Sequence, residues 1–137
     1  MNKKWIAYIQ KYEGLSLCPY TCPAGHLTIG YGHNLENGIP PEVAEQLLQS
    51  DMARAQRDVQ AHLPFTHQLD EVRQFVLVDM CFNMGLKKLL TFKKMLAALK
   101  HGYYERAAYE MLDSRWAGQV GRRAGELAEM MRTGVYI

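Results

Sequence analysis

Cysteine is scarce, with three in 137 residues. A small and odd number cannot build a disulfide scaffold, so the chain must be held by a packed core, and this usage fits synthesis in a reducing cytoplasm. Long apolar runs are missing as well. After Lys3 and Lys4 the stretch 5–9 is interrupted by Gln10 and Lys11, far short of a secretory signal core or a membrane span. No repeat and no low-complexity tract occurs, which leaves a single domain of ordinary size. Strong charge of one sign is also lacking: the net value is +2. It is unevenly placed, with 6 basic and 9 acidic residues in 1–83 against 10 basic and 5 acidic in 84–137. The basic half suits encounter with an anionic polymer. Because Glu105, Glu110, Asp113, Glu126 and Glu129 are interspersed there and no recognition motif accompanies them, nucleic-acid binding is not expected.

What the chain does contain is helical periodicity. Trp5, Ile9 and Tyr12 predict an amphipathic helix over 2–13, ended by Gly14. Val43, Leu47, Leu48, Ala55 and Val59 predict a long helix over about 41–63, stopped by Pro64. From 69 to 84 apolar residues surround the helix, the pattern of a buried element, and Gly85 closes it. Three further helices are expected around Phe92–Leu99, Tyr104–Leu112 and Ala124–Met131, with Trp116 on a loop beside Arg115 as a core anchor. The methionines read as adaptable core packing, and Cys81 as a buried free thiol.

The segment 13–33 carries the candidate chemistry. Glu13 is followed after eight residues by Cys22 and after five more by Thr28, across glycines and alternating side chains that predict a reversal between two small strands. Glu13 falls in the last turn of its helix, where the helix dipole and the nearby Leu15 and Leu17 both disfavour a charged carboxylate. A carboxylic acid that keeps its proton suits general-acid catalysis. Cys18, Cys22, His26 and His33 also offer donors for a tetrahedral zinc ion, but their spacing is looser than paired metal motifs and no metal is expected. Cys18 and Cys22 flank one strand and suggest a redox bridge if their Cα atoms approach within about 7 Å.

This segment resembles the active-site hairpin of the phage-type lysozymes, the muramidases of the T-even phage lysozyme family. The spacing of Glu, eight residues, Asp or Cys, five residues and Thr is joined by Thr28-Ile29-Gly30-Tyr31-Gly32-His33. Phe82-Asn83-Met84-Gly85, Ser114-Arg115-Trp116, Arg123 and Arg132-Thr133-Gly134 follow in order. The resemblance implies an α+β, two-lobed lysozyme-like fold. A small β-hairpin lobe (about 14–42) is joined by the long helix to a mostly helical lobe (about 64–137), which also takes the N-terminal helix 2–13.

The resemblance also implies roles. Glu13 matches the acid that protonates the glycosidic oxygen between N-acetylmuramic acid and N-acetylglucosamine in peptidoglycan. Cys22 stands where an aspartate is usual, and Thr28 matches a threonine that helps hold the attacking water. His33 and Asp51 match an ion pair supporting the hairpin. Phe82 and Asn83 match residues lining the saccharide cleft, and Arg123 matches an arginine that reaches the catalytic glutamate. A free thiol titrates near ~8.5, so Cys22 replaces a carboxylate only in part, and Glu13 is expected to supply most of the chemistry. The implied enzyme is a monomeric, cofactor-free endolysin whose partner is bacterial peptidoglycan. It has no stable membrane insertion, and it waits in the host cytoplasm until a separate holin opens a route to the wall. A lytic transglycosylase and a catalytically decayed wall-binding protein remain as alternatives.

Overall fold

A computed structural model describes residues 1–137. The chain is α+β and contains eight α-helices and one small antiparallel sheet. It divides into two compact units, Met1–Gln46 and Leu47–Ile137. No helix is long and apolar enough to cross a membrane.

In the first unit, α1 (Lys3–Glu13) starts at Asn2, whose side chain accepts the Lys4 backbone N–H. It stops at Gly14, whose positive φ of 69° breaks the helix. β1 (Ser16–Thr21), β2 (Leu27–Gly30) and β3 (His33–Asn34) follow, in the order β1-β2-β3. The sheet has three strands where two were expected, because the chain turns through Tyr31 and Gly32 and pairs His33 with Ile29. Tyr20 pairs with Thr28 and Thr21 with Leu27, while the register is irregular between Ser16 and Tyr20. Pro19 lies in that stretch; without an N–H it is tolerated only on an edge strand or at a bulge. The N-terminal helix belongs to the same compact unit as this sheet, rather than with the helices that follow.

α2 (Pro41–His62) places Pro41 where its missing N–H costs nothing and ends just before Pro64. In the second unit, α3 (Glu71–Met84) is capped by Asp70 and closed by Gly85. α4 (Leu86–Leu89), α5 (Lys93–Lys100), α6 (Tyr104–Leu112), α7 (Arg115–Val120) and α8 (Arg122–Thr133) complete it. α3, α6 and α7 pack against α8, and α5 packs against α6. The core comprises Val76, Leu77, Met80, Leu89, Met95, Leu99, Met111, Leu127 and Met131, all buried. The four methionines fill it as unbranched, deformable side chains do. Cys81 is buried among them as a free thiol.

Trp116 departs from expectation. It sits on α7 rather than on a loop, because Ser114 caps that helix by accepting the Ala117 N–H. It is nonetheless a core anchor, 2 % exposed and edge-on to Phe92.

Candidate active site

Glu13 is the last residue of α1, and its position is fixed by what Gly32 lacks. A Cβ on Gly32 would lie 2.6 Å from Glu13 Oε2, so the carboxylate rests against bare backbone. Gly32 also has φ +81°, a conformation that side chains rarely adopt. Leu15 and Leu17, expected to enclose the carboxylate, are themselves exposed, and Glu13 is exposed too. The helix end and Gly32 define its surroundings. Gly32→Ala should therefore push the carboxylate aside and lower kcat by about 10²-fold, the cost of a displacement of roughly 1 Å in a catalytic group. Steady-state turnover, read beside a melting curve, checks this.

Cys22 and Thr28 meet through His26. The Cys22 N–H donates to the His26 carbonyl at 2.9 Å, and the Thr28 hydroxyl donates to the same oxygen at 2.9 Å. In return the His26 N–H points at Cys22 Sγ, 3.4 Å away. This bond is the main cause holding the Cys22 thiol below its ordinary range. Partial burial opposes it, and the Ala24 and Gly25 N–H groups and the Thr28 hydroxyl reinforce it. Thr28 is 4 % exposed and is the only buried residue of the first unit, so its hydroxyl is rigidly aimed.

Cys18 lies within β1 and is exposed. Four extended steps of ~3.3 Å separate it from Cys22, well beyond the ~7 Å a disulfide spans, so a bridge needs the strand undone. The alternative zinc grouping is not assembled. His26 Nδ1 is 2.9 Å from Glu36 Oε2 and His33 Nε2 is 2.9 Å from the Gly38 carbonyl. No three His, Cys, Asp or Glu side chains gather as metal ligands.

The remaining site residues lie in the second unit. Asp51 and Phe82 line one hollow of about 280 Å³ together with Arg54 and Asp58. Asn83 accepts the Trp116 indole N–H at 2.9 Å, which ties the end of α3 to α7. Arg123 donates through Nε and a terminal nitrogen to both oxygens of Asp79. It shares with Phe82 a smaller hollow of about 210 Å³. Asp79, the use of Gly32 against Glu13 and the His26–Glu36 pair do not show in the sequence. Asp79 sits inside a run read only as apolar, and nothing in residue spacing shows that Arg123, 44 positions later, would pair with it.

The first unit thus seats an exposed acid on backbone beside a strand turn and holds a thiol and a hydroxyl on the backbone of one residue, His26. A family model described as phage lysozyme matches residues 10–130. An endolysin of Acyrthosiphon pisum secondary endosymbiont phage 1 is 34% identical over 130 residues, covering 90% of this chain and 85% of that one. Probable T4-type lysozyme 1 of Dictyostelium discoideum is 26% identical over 152 residues, covering 89% of each. The pre-baseplate central spike protein Gp5 of Enterobacteria phage T4 is 28% identical over 97% of this chain, which spans 28% of that protein's length. The chain belongs to the phage lysozyme family and is an enzyme of the lysozyme type.

Proposed function

We propose that this enzyme is an endolysin that hydrolyses the β-1,4 bond between N-acetylmuramic acid and N-acetylglucosamine in bacterial peptidoglycan. The observation that carries this reading is the gathering of Cys22 and Thr28 on the backbone N–H and C=O of His26, in the same unit that seats Glu13 against Gly32. Glu13 gives its proton to the glycosidic oxygen as the bond to the sugar's anomeric carbon breaks. A water held by Thr28 adds to that carbon, and the proton it sheds goes to the Cys22 thiolate. One carboxylate and one thiolate thus share what two carboxylates do in the usual glycosidase. The lowered thiol pKa supports this division, because it raises the thiolate fraction near neutral pH.

Phe82 and Asn83 line the sugar path in this reading, and His33, Asp51 and Arg123 are supporting residues, His33 through the Gly38 carbonyl and Arg123 through Asp79. The enzyme acts as a monomer without a cofactor. It stays in the host cytoplasm until a holin lets it reach the wall, a sequence of events supported by its similarity to a phage endolysin.

Purified peptidoglycan with product masses recorded tests the reaction. Hydrated reducing ends are expected. 1,6-Anhydro ends would make the protein a lytic transglycosylase, and wall binding without release would make it a decayed binding protein. In the same assay wild-type activity should rise with pH through a range below the ~8.5 of a free thiol, and Cys22→Ser should lose that rise. A Cys22→Ser enzyme equal to wild type at every pH would end the thiolate role.

A further inference from the structure

We infer that His26 is a positioning residue for hydrolysis, its ring tethered by Glu36 so that its backbone N–H and C=O hold Cys22 and Thr28 in fixed relation. This rests on the reading that Cys22 and Thr28 handle the attacking water. The strand ladder between β1 and β2 ends at the Thr21–Leu27 pair, so residues 22–26 form a tip outside it. Two hydrogen bonds converge on the His26 carbonyl and one leaves its N–H for the Cys22 sulfur. The carbonyl and the N–H lie in the two peptides that flank the His26 Cα, so a displacement of His26 moves both the Thr28 hydroxyl and the contact to the Cys22 sulfur.

The ring provides the restraint. His26 Nδ1–H donates to Glu36 Oε2 at 2.9 Å. Glu36 is itself fixed: its N–H donates to Asn34 Oδ1 at 2.9 Å, and it lies on the 3-10 turn Leu35–Asn37. The turn is closed by the Gly38 N–H on the Leu35 carbonyl, and His33 Nε2–H on the Gly38 carbonyl ties it to β3. The tether thus runs from the tip of the hairpin to its third strand. Both partners are about half exposed, with side chains 49% and 55% accessible, and such pairs contribute little to stability. Its consequence is geometric, in a step where small displacements are costly.

The test compares His26→Ala, Glu36→Ala, the double variant and Glu36→Gln, whose amide oxygen still accepts from Nδ1–H. Each is read by kcat and KM on peptidoglycan, and by the pH dependence of Cys22 alkylation with iodoacetamide in a Cys18→Ser background. Each alanine variant should lower kcat about tenfold at unchanged KM and melting temperature. The double variant should be no worse than either single one, and Glu36→Gln should restore most of the loss. The alkylation profile should move to higher pH in both alanine variants, because the bond from the His26 N–H to the sulfur loosens. An alkylation profile unchanged in both would overturn the tether whatever the activity. A shifted profile with unchanged kcat would overturn the role in hydrolysis and show that the fault lies with the water-handling reading of Cys22. Absence of reducing ends from wild type would be a failure of the lysozyme reading, and the alkylation arm would still report on the tether.

Discussion

Glu13→Gln should abolish all but a trace of reducing-end release, a loss of about 10²–10⁴-fold in kcat, with the fold intact. The magnitude is that of a lost general acid. Glutamine keeps the length and shape of the side chain, and Gly32 leaves room for it, since what rests there is a side-chain end against backbone. Glu13 is exposed and its side chain makes no hydrogen bond that the fold would lose, so melting temperature should hold within a degree or two. The comparison therefore isolates the proton. Substrate binding should be little changed, which places the loss in kcat rather than KM. A Glu13→Gln enzyme within a factor of two of wild type would remove Glu13 from the chemistry, and with it the reading of the hairpin as a catalytic site. A small residual rate that persists in Glu13→Gln but disappears in the Glu13→Gln, Cys22→Ser double variant would assign the remainder to the thiol.

Much of this molecule was legible in the sequence, and for identifiable reasons. α1, α2, α5, α6 and α8 each carry an apolar repeat of helical period and α3 is apolar nearly all round, and most carry punctuation that physics enforces: Gly14, Gly85 and Gly134 at helix ends, Pro41 at a start. β3 and α4 were missed because two and four residues are too short to show any period. α7 was missed because its signal is one capping serine before a tryptophan that looks like a loop residue. The candidate site divides the same way. Glu13, Cys22 and Thr28 announce themselves by residue type and spacing on one continuous segment. Gly32 was visible only as part of a glycine-rich motif, since its use depends on where Glu13, 19 positions earlier, comes to rest. His26 acts through its backbone N–H and C=O, which nearly any residue possesses, so its side chain gives no hint of what its backbone holds.

Arg73→Met should destabilise the helical unit by about 3 kcal/mol, the largest single effect on stability expected in the chain, and lower its melting temperature by about 10 °C. Arg73 is an arginine inside the core region of α3, 8 % exposed. Its Nε donates to the Met131 carbonyl at 2.6 Å and a terminal nitrogen donates to the Arg132 carbonyl at 2.9 Å, so it satisfies the open end of α8. Its other terminal nitrogen bonds Asp70 at 2.9 Å, and its guanidinium carbon lies 3.5 Å from the centre of the Tyr104 ring. Gly134 leaves space for it: a Cβ there would come within 2.8 Å of the guanidinium. Methionine fills the volume but leaves two carbonyls and a carboxylate without their donor. The figure is kept at the low end for a broken buried pair because the Asp70 side chain is 38% exposed. Arg73→Lys should recover less than half, since one ammonium cannot reach both carbonyls and the carboxylate. The acid dependence gives an independent reading. Burial pushes the Asp70 carboxyl up, but the Arg73 N–H, its side-chain hydrogen bond and its charge together outweigh burial and hold the group below its ordinary value. A carboxyl depressed by folding contributes fully above its unfolded pKa, about 3.9, and that contribution is lost as pH falls through the lower folded value. The gap between wild type and Arg73→Met in urea unfolding should therefore be widest near neutrality and should narrow below about pH 4. A gap that stays constant into acid would show that the carbonyls of α8, and not Asp70, account for the whole effect.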